Sequence, residues 1–295
     1  MDGFLLIDKE IGVSSFDVVK RVRSLTREPH VGHAGTLDPL ATGLLVVAIG
    51  EATKLLEYFI GCDKEYEVSA CFGKVSDTYD SDGKITIVDG KAYHDSEEIV
   101  SVIKQKFIGE IEQIPPQYSA IKVKGKRAYE IARKGGSVEL KARKVNILRF
   151  DLREFDWPVV SFRVKCGSGT YIRSLIHDLG RELGCGAYVT KLRRTKVDNF
   201  PVEMSCEVEK LAERIDKIDK YLISLEDLGK KFKRIDLTDE EYEALKNGRT
   251  LLSKKVDQLT DADEVFVAYC NDFLTGVVEV DKSGKGIKFR KMIVR

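Results

Sequence analysis

Cysteine and histidine, the usual zinc ligands, are scarce in this chain. Its six cysteines are scattered, and the sequence contains no Cys-x-x-Cys pair and no cysteine and histidine pair at zinc-binding spacing. Clusters of that kind hold structural or catalytic zinc, so their absence argues against a metal site. We therefore expect reduced thiols in the core of a cytoplasmic protein, and no bound metal.

Long hydrophobic runs and nucleotide-binding signatures are also missing. No apolar stretch approaches the roughly 18 residues of a membrane span, and the first residues lack a charged targeting region. No Gly-x-Gly-x-x-Gly follows a predicted strand, and no phosphate-loop lysine is present. We expect a soluble, untargeted protein that uses no nicotinamide, flavin or nucleotide cofactor.

Net charge is low, but the charge is unevenly distributed. The total is +1, whereas residues 122–144 carry nine Lys/Arg against two Asp/Glu, and residues 282–295 carry six Lys/Arg and no acid. Four further basic residues lie within 191–196. Stretches this basic suit a nucleic-acid backbone, although a charged run is more often a solvated surface.

The order of predicted elements favours a mixed α+β fold. Alternation over residues 65–72 predicts a strand with Tyr66 on its apolar face, and Ser14 with Asp17 predicts the start of an amphipathic helix. A change of character near Gly229 leads into three predicted strands with tight turns. We predict a large domain over residues 1–231 and a small β-rich domain over residues 232–295.

One short segment combines a carboxylate, an imidazole and three glycines. Residues 32–43 read Gly-His-Ala-Gly-Thr-Leu-Asp-Pro-Leu-Ala-Thr-Gly, which places Asp38 between glycine-permitted bends. Pro39 disfavours the helical region for Asp38 and so holds the carboxylate on extended backbone. An isolated Asp-Pro pair is usually just a turn. The whole run, however, resembles the signature around the nucleophilic aspartate of the TruB family of tRNA pseudouridine synthases.

Five further motifs of that family follow the same order in this chain. They are similar to Lys-Pro-x-Gly-x-Thr-Ser (residues 9–15, with Glu10 in place of proline), Lys-x-Tyr (64–66), Pro-Pro-x-x-Ser-Ala (115–120), Gly-Thr-Tyr-Ile-Arg (169–173) and Leu-Arg-Arg (192–194). Six ordered motifs make a chance likeness very improbable.

The resemblance implies a fold and an activity. The fold is a mixed, largely antiparallel sheet of the pseudouridine synthase type with an RNA-gripping insertion at about 117–146, followed by a small C-terminal β-barrel similar to the PUA domain. The activity is isomerisation of the T-loop uridine at tRNA position 55, with the target base flipped out of its stack. The partner is the T-stem-loop of tRNA, and we expect a monomer with no obligate protein partner.

The resemblance also implies roles for individual residues. Asp38 is the catalytic carboxylate, Arg173 its ion-pair partner, and Tyr66 the ring that stacks on the flipped base. Tyr171 and Leu192 line the pocket, and His33 is an aromatic wedge against RNA. Phosphate contacts are expected from Lys122, Lys124, Lys126, Arg127, Arg193 and Arg194.

Plainer interpretations of these residues stay open at this point. Tyr66 alone fits ordinary sheet packing, Arg173 alone fits a surface arginine on a first helical turn, and His33 alone fits a loop residue. Two other functions also compete. One is a guide-RNA-dependent synthase subunit, against which the basic insertion argues; the other is an RNA chaperone that folds tRNA without chemistry.

Overall fold

The computed structural model describes residues 1–90, 93–119, 121–123, 125–230, 232–252, 265–281 and 286–293. The strands in these ranges are β1 (Gly3–Lys9), β2 (Val31–His33), β3 (Thr42–Ile49), β4 (Lys64–Phe72), β5 (Lys74–Ser76), β6 (Ile85–Ile87), β7 (Gly109–Gln113), β8 (Lys122–Val123), β9 (Lys126–Arg127), β10 (Arg143–Asp156), β11 (Val159–Cys166), β12 (Ala187–Val197), β13 (Phe200–Pro201), β14 (Leu222–Ser224), β15 (Lys233–Leu237), β16 (Leu251–Leu252), β17 (Phe266–Cys270), β18 (Phe273–Val280) and β19 (Gly286–Met292).

The longest helix in these ranges has 12 residues. The α-helices are α1 (Ser15–Thr26), α2 (Leu56–Ile60), α3 (Ser96–Lys106), α4 (Ala128–Ala132), α5 (Ile172–Glu182), α6 (Val208–Glu213), α7 (Leu225–Gly229) and α8 (Asp239–Lys246). Three 3₁₀ helices span Gly50–Leu55, Val202–Met204 and Ile215–Lys220. Within the described ranges, none of the helices has the length and apolar character needed to cross a membrane.

Ten strands of the described chain form one large sheet. Its order is β14-β1-β3-β12-β4-β11-β10-β7, with β2 added beside β3 and β13 beside β12. Strands β3 and β12 run parallel, whereas the other strand pairs described for this sheet are antiparallel. The predicted mixed, largely antiparallel α+β sheet is therefore confirmed.

Both faces of this sheet are buried at β1 and β3. Alternate residues of β1 and β3 point to opposite sides, so Leu5 and Val47 belong to one apolar cluster whereas Phe4 and Val46 belong to another. The first cluster is covered by the apolar faces of α1, α3 and α5. The candidate site lies where the first turn of α5 meets the loop between β2 and β3.

A five-stranded sheet covers part of the opposite face. Its order is β15-β17-β18-β19-β16, with β15 and β17 parallel. Its buried Val277 and Tyr269 share the second apolar cluster with Phe4 of β1. At the rim, Lys54 Nζ donates to the carbonyl oxygen of Met292 at 2.9 Å. The predicted β-rich C-terminal module is present, and its division from the first domain near residue 231 stays a prediction.

The sequence failed to predict β12. Its eleven residues lie between β3 and β4 near the middle of the large sheet, but lysines and arginines interrupt the apolar alternation. Leu192 and Arg194 are both buried, at 6% and 1% exposed. A buried arginine at a core position makes a central strand resemble a basic surface segment.

Candidate active site

The Asp38 loop is anchored on both sides of the carboxylate. Leu37 and Leu40 are buried at 3% and 7% exposed. Ser15 Oγ accepts from the Leu37 amide at 2.8 Å and also lies 3.0 Å from the Leu37 carbonyl oxygen, to which it donates. The Gly12 amide donates to the carbonyl oxygen of Pro39 at 2.8 Å. Asp38 thus lies on a fixed backbone, while its own side chain stays 32% exposed.

Arg173 contacts the Asp38 carboxylate at two points. Its Nη2 donates to Asp38 Oδ1 at 2.9 Å, and its Nε lies 2.8 Å from Asp38 Oδ2. Arg173 is on the first turn of α5 and is only 3% exposed. A planar guanidinium can hold both oxygens of a carboxylate, which a point-charge ammonium cannot do. The ion pair predicted from the sequence is present.

Among the described residues, the same guanidinium has three further partners. Arg173 Nη1 donates to the carbonyl oxygen of Thr78 at 2.9 Å and lies 3.2 Å from Asp80 Oδ2, while Nη2 donates to the Tyr118 carbonyl oxygen at 2.9 Å. Asp80 is 4% exposed. The sequence gives no sign of a role for Asp80, because Asp80 lies in an aspartate-rich turn that resembles an ordinary loop. Its burial, which the sequence does not reveal, separates it from Asp77 and Asp82.

Opposing effects set the pKa of Asp38. Burial raises it above the usual carboxyl range, Arg173 lowers it, and the charge of Asp80 raises it again. Arg173 is the largest of the influences that favour the ionised form. A partly exposed carboxylate held by a buried cation can act as a nucleophile or a base toward a substrate.

Lys9 supports the loop from beneath, although the sequence suggested no role for it. It is 1% exposed, and its Nζ donates to the carbonyl oxygens of Val13 at 2.7 Å and Pro39 at 3.4 Å. Burial lowers the pKa of Lys9 to about 8, against the opposing influence of Asp38. The ammonium thus links the loop after β1 to the loop that carries the carboxylate.

Tyr66 and Leu192 lie in the apolar cluster that contains the residues beside Asp38. Tyr66 is 8% exposed on β4, opposite Arg194 of β12. Burial raises the pKa of Tyr66, so its phenol is neutral. Leu192 is 6% exposed and, two residues from Arg194, points to the same side of β12. The inward orientation predicted for Tyr66 is confirmed; its stacking role stays a prediction.

Tyr171 and His33 border the site from different elements. The Tyr171 ring centre lies 4.8 Å from the guanidinium carbon of Arg143, and its backbone amide donates to Gln113 Oε1 at 2.8 Å. His33 ends β2, opposite Val47, so it lies on a strand rather than in a loop. Burial, with a smaller contribution from Arg194, lowers the pKa of His33 and favours its neutral ring.

The two arginines of β12 differ from the phosphate-binding pair that the sequence predicted. Arg194 is 1% exposed, and it donates through Nε to the Leu44 carbonyl oxygen at 2.7 Å and through Nη2 to that of Gly35 at 3.1 Å. A guanidinium buried in this way supports the fold, so the predicted phosphate contact of Arg194 is wrong. Arg193 is 39% exposed and pairs with Asp8 at 2.7 Å, which leaves its predicted contact untested.

Part of the basic insertion falls outside the described residues. Lys124 is one of these, and so are the side chains of Lys122 and Lys126, whose backbones form the β8 and β9 hairpin. Arg127 is exposed, and its Nη1 lies 3.4 Å from the hydroxyl of Tyr129. Contacts from these four residues to RNA stay a prediction.

Two family models match the chain in succession. Residues 23–172 match the model described as TruB family pseudouridylate synthase (N terminal domain), and residues 173–242 match the tRNA pseudouridylate synthase B C-terminal domain. The proteins named tRNA pseudouridine synthase B from Clostridium tetani and Actinobacillus pleuropneumoniae are 38% and 39% identical to it. The first alignment covers 100% of both chains; the second covers 94% of this chain and 92% of its relative.

Solved structures share the architecture at lower identity. One is a chain from an H/ACA ribonucleoprotein bound to a substrate RNA containing 2′-deoxyuridine, with a TM-score of 0.71, 20% identity, and coverage of 99% of this chain and 85% of that one. Another comes from an archaeal box H/ACA complex, with a TM-score of 0.70, 23% identity, and coverage of 99% and 86%. Identity this low establishes the fold alone.

Proposed function

The chain belongs to the TruB family of pseudouridylate synthases, and we propose that it is a tRNA pseudouridine synthase that isomerises the T-loop uridine at position 55. The observation that carries this proposal is the Asp38 carboxylate, partly exposed and held at two points by Arg173. Its relatives of 38% and 39% identity carry the name of this activity. We propose the T-stem-loop of tRNA as the partner.

The reaction rearranges atoms within one nucleotide. The bond between uracil N1 and ribose C1′ breaks, a bond between C5 and C1′ forms, the proton on C5 is lost, and N1 gains a proton. No electron or group leaves the molecule. The protein must therefore supply an ionised carboxylate, a site that excludes water, and a means to hold the flipped base.

Asp38 supplies the carboxylate. Arg173 opposes the effect of burial on the pKa of Asp38. In this proposal Asp38 reacts in its ionised form, which attacks the base or the sugar, or removes a proton from the ribose. Each of these first steps uses the same group. The anchored backbone around Asp38 reduces the reorganisation needed when the uridine arrives.

Tyr66, Leu192, Tyr171 and His33 hold the nucleotide in this proposal. The neutral ring of Tyr66 stacks on the flipped uracil, and Leu192 and Tyr171 line the pocket around it. His33 inserts its neutral ring against bases of the RNA loop. These roles need planar or apolar surfaces and no proton transfer, which agrees with the direction of both pKa shifts.

Basic side chains bind the rest of the RNA through its phosphates in this proposal. We assign phosphate contacts to the basic insertion, through Lys122, Lys124, Lys126 and Arg127, and to Arg193 beside the sheet. The C-terminal five-stranded module provides a further RNA contact in the manner of a PUA domain. We further propose that the enzyme works in the cytoplasm as a monomer, without a guide RNA or an obligate protein partner.

Replacing Asp38 with asparagine tests the activity. Asp38→Asn keeps the shape but removes the charge, so we expect no tritium release from a T-stem-loop RNA carrying 5-labelled uridine, with RNA binding retained. The matched control is Asp77→Asn, which removes an exposed carboxylate from the turn near Asp80. Turnover of the Asp38 variant within tenfold of wild type would contradict the proposal.

Two experiments test which tRNA position is modified and whether the enzyme needs a guide RNA or another protein. Pseudouridine mapping of total tRNA from cells with and without this protein should show loss of the modification at position 55 alone. The purified chain should also modify a transcribed tRNA with no other protein or RNA present. A requirement for a guide RNA would favour the ribonucleoprotein function, and tRNA folding without any pseudouridine would favour a chaperone.

A further inference from the structure

Tyr79 adopts a backbone conformation that aromatic residues seldom occupy. Its φ is +65°, in the left-handed region. Its two neighbours both bind the same nitrogen, because Arg173 Nη1 donates to the Thr78 carbonyl oxygen and lies 3.2 Å from Asp80 Oδ2. Strain of this kind persists only where surrounding contacts impose it. The strained residue lies between Thr78 and Asp80, the two residues that hold Arg173 in place.

The Tyr79 ring stacks on His177. The ring centres are 3.8 Å apart and the planes differ by 11°. His177 and Arg173 are four residues apart on α5, so they lie on one face of that helix, one turn apart. The helix that presents the guanidinium therefore also presents the surface on which Tyr79 rests.

Two hydrogen bonds hold the backbone of Tyr79, whereas its ring is held by the stack on His177. The Tyr79 amide donates to the Ser76 carbonyl oxygen at 3.1 Å, and the Val189 amide donates to the Tyr79 carbonyl oxygen at 3.0 Å. The second of these hydrogen bonds joins the turn to β12. Neither of them requires an aromatic side chain, because both are made by backbone atoms that every residue except proline has.

The two stacked rings are both neutral. Burial raises the pKa of Tyr79, with Asp178 adding to the effect, and burial lowers the pKa of His177, with Arg181 adding to it. Neither ring contacts the Asp38 carboxylate through a hydrogen bond or ion pair in the described part of the chain. This pair therefore does not transfer protons to or from Asp38. Its contribution is to hold neighbouring residues in position.

We propose that Tyr79 and His177 are positioning residues: their stack holds the turn over residues 78–80 in the left-handed form that directs the Thr78 carbonyl and the Asp80 carboxylate onto Arg173. Arg173 is thereby held against Asp38 in the geometry that catalysis needs. This inference rests on the proposed synthase function for its kinetic consequence. The structural consequence, an immobile Arg173 side chain, is independent of that function.

Four variants test the stack. Tyr79→Asn tolerates positive φ but removes the ring, His177→Ala removes the partner without touching the turn, and the double variant combines both changes. Tyr79→Phe keeps the ring and serves as the conservative control. Each is assayed by single-turnover tritium release at saturating enzyme and by filter binding of the same RNA.

We expect removal of either ring to slow the single-turnover rate about tenfold, because misplacement of a catalytic group by a fraction of an ångström is costly. The dissociation constant for RNA should stay within about twofold of wild type, and Tyr79→Phe should keep the full rate. The double variant should be no slower than the slower single variant, since both substitutions remove the same stacking interaction.

Several outcomes would overturn the proposal. These are wild-type rates in both single variants, a double variant slowed about a hundredfold as the product of independent effects, or weakened RNA binding at an unchanged rate, which would mean that the stack binds RNA. Failure of Tyr79→Phe to keep the rate would also overturn it.

A spectroscopic measurement separates this inference from the proposed function. In ¹⁵N spectra of the free protein, the Nε–H signal of Arg173 should exchange slowly with solvent in wild type and Tyr79→Phe, and rapidly in Tyr79→Asn and His177→Ala. An inactive wild-type enzyme that showed this pattern would contradict the function and support the stack. Equal exchange in all variants would contradict the stack, whatever the activity.

Discussion

Gly43 lies directly against the backbone of Arg194, its partner in the parallel pairing of β3 and β12. A Cβ on Gly43 would lie 2.8 Å from the Arg194 nitrogen and closer still to the Arg194 carbonyl oxygen. The Arg194 guanidinium meanwhile donates to the Gly35 carbonyl oxygen at 3.1 Å. Arg194 therefore holds the Asp38 loop at both ends, with its backbone at one and its side chain at the other.

Gly43→Ala should lower both stability and activity. Gly43 has φ +100°, and the new methyl group would meet β12 backbone that cannot move aside. We expect a decrease of about 3 kcal/mol or more in the free energy of unfolding, measured by urea titration. The control is Gly12→Ala, where φ is +79° but nothing lies within 4 Å of the added carbon. An equal decrease in both variants would show that only the backbone angle matters.

Arg173→Met should move the acid limb of the rate profile to higher pH. Arg173 makes the largest contribution that lowers the pKa of Asp38, so without it that pKa rises and a smaller fraction of Asp38 is ionised at a given pH. We expect a single-turnover rate at pH 7 lower by about a hundredfold or more. Arg173→Lys should recover part of it, since an ammonium lacks the planar fork. An unshifted limb would mean that the pair is not catalytic.

Asp80→Asn should shift the same limb in the opposite direction. The charge of Asp80 raises the pKa of Asp38, so its removal lowers that pKa and moves the limb to more acidic pH. The plateau rate should still fall, by about tenfold, because Arg173 loses a charged anchor. Rate profiles of the two variants measured side by side would show the divergence. Parallel shifts would exclude an electrostatic role for Asp80.

Neutralising the basic insertion should weaken RNA binding more at low salt than at high salt. Removing one side chain that binds a phosphate reduces the slope of log affinity against log salt by about 0.9. The variant combines glutamine at Lys122, Lys124, Lys126 and Arg127, and a salt titration by filter binding measures the slope. Lys20→Gln, which removes a lysine paired with Asp17 on α1, is the control. An unchanged slope would identify the insertion as solvated surface.

The packing of the two modules against each other should depend on apolar side chains. Tyr269 is 5% exposed in the cluster that includes Phe4 of the large sheet, whereas Arg290 and Glu57 form an exposed pair at 3.3 Å. Tyr269→Ala should cost about 3 kcal/mol of unfolding free energy and Arg290→Gln less than about 1 kcal/mol. Thermal unfolding followed by circular dichroism would rank them. A larger effect at Arg290 would reverse this assignment.

The position of a residue could be predicted from the sequence where that residue follows a local pattern. Tyr66 shares the strict alternation of β4, and Arg173 falls in a motif on the first turn of α5, so both could be placed in advance. Asp80 and Lys9 could not be assigned a role, because their importance comes from burial among residues distant in the chain. Arg194 was assigned to the surface, since a basic run does not reveal which of its side chains turns inward.

The position of β12 determines when the site can form during synthesis. Residues 187–197 insert between β3 and β4, strands that precede them by more than a hundred positions. Until these residues have left the ribosome, the Asp38 loop lacks the arginine that binds its two ends, and the inner edges of β3 and β4 have no partner. Pairing over such distances is slow. A nascent chain shorter than about 200 residues is therefore an inactive intermediate with exposed strand edges, which makes it a target for chaperones.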